Sequence, residues 1–257
     1  MSKRIDVYPL PSIARDLPVG GVSVAIDVLR ATTTITTALA NGAESVRPYE
    51  TVKETFAAKR AILEMKPELE GKILLGGERG GLPINDFDLG NSPSLYSRDA
   101  VEGKSVLFTT TNGTKAILQC RGVVLLASFL NLTAVVDRIR RENRDLVSIV
   151  CAGTDGEYTE EDMLLAGAIV EKIAQLEQVE LNVQAEFVRY FWRENSGETL
   201  LKRLEQSRGG LNLKRIKLTK DIADAAKIDS LDVVAEFRVG VIKLDSAFEN
   251  SKRSNLE

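Results

Sequence analysis

Residues 22–42 read VSVAIDVLRATTTITTALANG, and they decide the fold class. The first part, residues 22–27, is apolar and β-branched up to an acid, and reads as a strand. Ala31, Ile35, Ala38 and Leu39 then recur at helical spacing, and Asn41-Gly42 supplies a C-terminal stop. A strand that passes through a short charged turn into a helix is the repeating unit of an α/β protein.

The same alternation continues along the chain. Residues 52–64 predict a helix ended near Pro67, and residues 72–75 a short strand. Residues 105–109 predict a strand, followed by a helix over 114–119. Residues 123–127 form a fourth strand. Asn131 is placed to cap the next helix, whose apolar face is Leu132, Val135, Val136 and Ile139. Residues 146–151 form a fifth strand. The helix after it starts near Thr159, with Asp162 spaced for a capping box. Past about residue 178 the pattern is mainly helical, up to a strand-like stretch at 233–244. Continuous apolar strands separated by helices imply a largely parallel or mixed sheet, covered by helices on both faces. No repeat or linker divides the 257 residues, so a single α/β domain is expected over 1–257.

Composition narrows the function. Hydrophobic residues make up 44% and charged residues 28%, with a net charge of −3. No basic block suggests a nucleic-acid partner, and no apolar run is long enough to span a bilayer. Two cysteines, Cys120 and Cys151, make no disulfide framework or zinc spacing, and no secretion signal is legible, so a cytoplasmic location is expected. Histidine is absent, which excludes Ser-His-Asp and Cys-His catalysis as usually built. A homodimer is the base expectation for assembly.

Ligands of open α/β sheets bind beyond the carboxyl ends of the strands. Those positions hold Asp27 and Arg30 with Thr32, Thr33 and Thr34; then Glu78 and Arg79; then Thr111, Asn112 and Gly113; then Cys151, Gly153 and Asp155, with Glu161 and Asp162 beyond. Each group has an ordinary structural explanation as a cap, a turn or a buried cysteine. Their convergence on one edge favours a site. A threonine-rich helix start beside an arginine also suits an anion. Cys151 lacks the arginine that a cysteine-phosphatase loop needs. Hard carboxylate oxygens suit Mg²⁺, which takes only one or two carboxylates along with water and substrate. Arginines and Mg²⁺ together are the equipment of phosphoryl transfer. Residues 76–93, GGERGGLPINDFDLGNSP, read as a long functional loop after a short strand.

Four segments carry a family resemblance. IDVLRATTTITTALANGA, GGERGGLPINDFDLGNSP, TTTNGTKA and CAGTDGEYTEEDMLLAG resemble, in that order, the motifs of the 2-phosphosulfolactate phosphatase family. The resemblance implies a Mg²⁺-dependent phosphatase that hydrolyses (2R)-O-phospho-3-sulfolactate, a small anionic substrate, to 3-sulfolactate and phosphate. In methanogens this step serves coenzyme M synthesis. It further implies catalytic roles for Asp27, Arg30, Glu78, Arg79 and Asn112, and substrate contacts from Thr32, Thr33, Thr34, Thr111, Gly113 and Gly153. Asp27, Glu161 and Asp162 are the implied metal ligands, and Asp88, Asn91 and Cys151 fall within the motifs. Where the family pattern has Gly-Arg, this chain has Gly210-Leu211. The alternatives are a phosphatase for another small acidic ester and a non-catalytic anion-binding module.

Overall fold

The computed structural model describes residues 2–142, 144–195, 199–246 and 248. The strands are β1 (Lys3–Tyr8), β2 (Val22–Ile26), β3 (Ser45–Pro48), β4 (Ile73–Arg79), β5 (Leu82–Pro83), β6 (Ser105–Thr109), β7 (Val123–Ala127), β8 (Leu146–Cys151), β9 (Val179–Leu181), β10 (Ala235–Arg238) and β11 (Val241–Leu244). The helices are α1 (Ala31–Ala40), α2 (Val52–Met65), α3 (Arg98–Val101), α4 (Gly113–Gln119), α5 (Leu132–Arg141), α6 (Glu160–Leu176), α7 (Val183–Asn195), α8 (Leu200–Gln206), α9 (Arg208–Arg215) and α10 (Thr219–Ala225).

All these strands join one mixed sheet, in the order β5-β4-β6-β3-β11-β10-β7-β2-β8-β1-β9. β7, β2, β8, β1 and β9 are mutually parallel, as are β3, β6 and β4. The hairpin β10–β11 lies between these two units and is antiparallel to each neighbour. The two parallel units therefore run in opposite directions, and there is no single common edge of strand ends. Five inter-strand steps separate β6 from β2. At about 20–25° per step they turn the sheet by roughly 100–125°. That rotation lets the carboxyl ends of oppositely running strands meet at one place.

Helices cover both faces, as the continuous apolar strands require. Along β2, Val24 and Ile26 face a core shared with Val135, Ile139, Leu165 and Ile169 of α5 and α6. Ala25 faces the other core, with Ile35 and Leu39 of α1 and Ile117 of α4. A smaller core forms where Ile73, Leu75 and Leu107 meet Ala58 and Ile62 of α2.

Four strands escape a hydrophobic reading. β1 carries Arg4 and Asp6, which pair at 3.0 Å, in alternation with the buried Ile5 and Val7. β3, β5 and β9 are too short to show a period. The expected short strand at 72–75 runs on to Arg79, so Gly76–Arg79 is strand rather than loop. Gly80 and Gly81, at φ 58° and 83°, turn it back into β5. Successive positive φ values suit a tight hairpin and favour glycine.

The C-terminal hairpin closes the sheet. Ile242 pairs with Val46 of β3 and is fully buried, while Arg138 of α5 pairs with Asp245 just beyond β11. Ile242→Ala is expected to cost about 2–4 kcal/mol in urea unfolding. A loss under roughly 0.5 kcal/mol, within the range of surface substitutions, would mean that the hairpin is an appendage to an already stable sheet.

Candidate active site

A cavity of about 250 Å³ opens where the ends of β2, β4, β6 and β8 meet α9. Asp27, Glu78 and Asp155 supply its acid groups, and Arg30 and Arg215 its cations. Thr111, Asn112, Asn91 and Gly153 complete the wall contributed by the loops.

Asp27 follows β2 and is buried. The Ala31 N–H donates to its Oδ1 at 3.2 Å. The Thr32 N–H and hydroxyl donate to its backbone carbonyl. On the other side stands Gly113, where an added Cβ would approach Asp27 Oδ2 to 2.4 Å. Gly113 is therefore a packing requirement of the Asp27 carboxylate. Burial pushes the Asp27 carboxyl well above the usual range, and the charges of Asp162, Glu78 and Glu161 push it further, against the pull of the Ala31 bond.

Asp162 and Glu161 lie in the first turn of α6, both buried. The capping-box expectation at Thr159 fails, because the Asp162 carboxylate points into the sheet. It accepts the Val28 N–H at 2.9 Å and the Gly153 N–H at 3.0 Å, tying the ends of β2 and β8 together. Burial raises its pKa to about 6, with these N–H donors opposing the rise. Glu161 is raised to about 7, first by burial and then by Asp162. Its Oε2 is buried with no hydrogen-bond partner. An added Cβ on Gly209 of α9 would reach Glu161 Oε1 at 2.0 Å, so that helix packs directly on the carboxylate.

These features suit a divalent cation. A crowded, buried carboxylate set with an orphaned oxygen lacks positive charge. Among the described residues, no group of three or more His, Cys, Asp or Glu side chains stands ready to hold a metal. Mg²⁺ needs only one or two carboxylates, the rest of its shell being water and substrate. Asp27 and Glu161 fit that smaller requirement, while both Asp162 oxygens already accept N–H bonds.

Glu78 and Arg79 separate as neighbours on a strand must, to opposite faces. Glu78 faces the cavity, where its carboxylate accepts the Gly81 and Thr111 N–H groups, each at 2.6 Å. Arg79 turns away and donates to the Glu50 carbonyl and the Thr109 hydroxyl. Arg30 lines the cavity but is already paired with Asp221 at 2.6 Å, and it donates to Ser92 and the Gly81 carbonyl. Its guanidinium is held rigidly. The hydroxyls of Thr32, Thr33 and Thr34 do not reach the cavity, because each donates to a backbone carbonyl, of Asp27, Val28 and Asn91 respectively. The Ala31 and Thr32 N–H groups are spent on Asp27, which leaves the start of α1 a poorer anion site than its threonines suggest. The Thr111 hydroxyl bonds Glu78. Asn112 lines the cavity and its side chain makes no hydrogen bond among the described residues. Asp88 accepts the Leu75 N–H away from the cavity and shapes the return of the chain. Cys151 is buried, and burial pushes its thiol well above the usual range, so it is a packing residue.

A family model described as 2-phosphosulpholactate phosphatase matches residues 11–240. The chain belongs to this family. Among its relatives is a protein of Clostridium perfringens strain SM101 named probable 2-phosphosulfolactate phosphatase, 38% identical over 226 residues. That match covers 87% of this chain and 89% of the relative. A relative of the same name from Symbiobacterium thermophilum is 40% identical over 228 residues, covering 88% and 94%. One from Thermotoga petrophila reaches 45% over 152 residues, covering 59% and 62%. The family match takes in all four motifs and also α9 and α10, where the sequence reading is weakest.

Those two helices supply site residues that no motif points to. Asp221 fixes Arg30 and accepts the Ser92 hydroxyl at 2.7 Å. Gly209 and Arg215 line the cavity. The only local signal is a run of glycines at the start of α9, which permits close approach.

A raised carboxyl pKa costs the folded state stability once the group ionises in the unfolded chain. Below the ordinary value near 4.5, Glu161 is protonated folded and unfolded alike; the cost builds as pH rises from about 4.5 and levels off above about 7, where the folded carboxyl ionises too. Glu161→Gln is therefore expected to match the wild type at pH 4.5 in chelator. At pH 8 the variant should be more stable by about 2–3 kcal/mol. Equal stability of both proteins across that window, measured by urea unfolding, would contradict the crowded-carboxylate account.

Proposed function

We propose that the protein is a Mg²⁺-dependent phosphatase that hydrolyses (2R)-O-phospho-3-sulfolactate to 3-sulfolactate and phosphate. The observation that carries this reading is Asp27: a buried, charge-crowded carboxylate on the cavity wall, within a chain of the 2-phosphosulfolactate phosphatase family. Asp27 and Glu161 would hold the metal. When bound, Mg²⁺ neutralises negative charge on the transferring phosphoryl group.

The remaining work falls to the chain. Arg30, held by Asp221 and Ser92, presents a rigid guanidinium to phosphoryl oxygens, and a preorganised donor loses little on reaction. Asn112 adds a neutral amide free to donate. Water attacks phosphorus directly, the bond between phosphorus and the ester oxygen breaks, a proton from the water passes to that departing oxygen to give the 3-sulfolactate hydroxyl, and phosphate leaves with the water's oxygen. Asp27 is not cast as a nucleophile of the haloacid dehalogenase kind, because that chemistry needs an acid two residues on, and Leu29 stands there. The buried Cys151 thiol offers no alternative nucleophile.

The same proposal places the enzyme in the cytoplasm, in keeping with two buried, unpaired cysteines, and assigns it a homodimer. No helix among the described residues is long and apolar enough to cross a membrane. Its reaction is the one that in methanogens serves coenzyme M synthesis.

Asp27→Asn keeps the shape of the side chain and is expected to lower Mg²⁺-dependent kcat at least about 100-fold. Single-turnover hydrolysis in ¹⁸O-water should place the label in phosphate. Label in a protein carboxylate would overturn direct attack, and no turnover of any phosphate monoester with Mg²⁺ would favour an anion-binding module.

A further inference from the structure

We propose that Arg215 selects substrates that carry a second anionic group, carboxylate or sulfonate, beside the phosphate; this rests on the phosphatase reading above. Among the described residues two cations line the cavity. Arg30 is buried and its charge is met by Asp221 before any ligand arrives. Arg215, the last residue of α9, is exposed and makes no hydrogen bond or ion pair among the described residues. It lines both the cavity and the adjoining recess of about 610 Å³, so it stands at the mouth where one opens into the other. The other cation at the recess, Arg208, has a carboxylate 3.8 Å away in Asp155.

An uncompensated guanidinium matches a carboxylate or sulfonate in bidentate fashion. The acid groups Asp27 and Glu78 repel a second anion from the inner cavity, while Asp155, which lines the cavity and the recess as Arg215 does, has its charge met by Arg208. A ligand with two anionic groups is thus oriented, phosphate inward and the other anion towards Arg215. Among the described residues no aromatic side chain lines the cavity itself, so nothing there stacks a base or ring, and Tyr158 is confined to the recess outside it. Its volume and chemistry suit a short acidic phosphate ester.

The test compares wild type, Arg215→Met and Arg215→Lys on phosphosulfolactate, phospholactate and isopropyl phosphate, which lacks the second anion. In Arg215→Met the ratio of kcat/KM for the acidic esters over isopropyl phosphate should fall at least about tenfold, mainly through KM, with partial recovery in Arg215→Lys. A structural role would lower all three esters together, and a ratio within about twofold of wild type overturns the proposal. Calorimetric titration with 3-sulfolactate gives a second readout, free of turnover, in which Arg215→Met should weaken binding at least about tenfold. Arg215-dependent binding with no hydrolysis of any ester would sink the phosphatase reading and keep the role of Arg215. Normal hydrolysis with an unchanged ratio and unchanged binding would do the reverse.

Discussion

The burial of Asp27 beside Asp162, Glu78 and Glu161 is the constraint around which the site is arranged. Four carboxylates taken from water near one another are costly unless donors or cations meet them. The chain meets most of the cost with backbone N–H groups. Asp162 takes those of Val28 and Gly153, Glu78 those of Gly81 and Thr111, and Asp27 that of Ala31. Each such bond also fixes a loop at a strand end. The carboxylates are thus the fasteners of the cavity as well as its proposed chemistry. Glu161 Oε2 is the oxygen left over.

The sheet makes this arrangement possible in an unusual way. Two parallel units run in opposite senses and are joined by the late hairpin β10–β11. Only with sheet twist do the ends of β2 and β8 meet those of β4 and β6. The hairpin, far along the chain, therefore sets the separation between the two halves of the site. Helices α9 and α10 then close the remaining side, α9 packing on Glu161 and α10 supplying Asp221 to Arg30.

Much of this was legible in the sequence, for physical reasons. Central strands buried on both faces need continuous apolar runs, so VSVAI, SVLFT, VVLLA and LVSIVC read correctly to within a residue. Family motifs brought Asp27, Glu78, Asn112, Glu161 and Asp162 together. Side-chain direction was less legible. Gly76–Arg79 read as loop because glycine carries no strand signal, and with the strand hidden, the opposite facing of Glu78 and Arg79 was hidden too. Thr32, Thr33 and Thr34 resemble anion ligands, yet a threonine at a helix start bonds the nearby backbone as readily as a ligand. Asp221 and Arg215 lie on short helices of ordinary composition and gain meaning only from what they pack beside.

The buried carboxylates are proposed to take a divalent cation. Calorimetric titration of Mg²⁺ into chelator-treated protein at pH 6.5, in two buffers of different ionisation enthalpy, tests this most directly. Carboxyls held near pH 6–7 are partly protonated there, so binding should release protons. The account predicts a single Mg²⁺ per chain with a buffer-dependent heat that disappears in Glu161→Gln. Absence of binding, or binding without proton release and unaffected by that substitution, would contradict it.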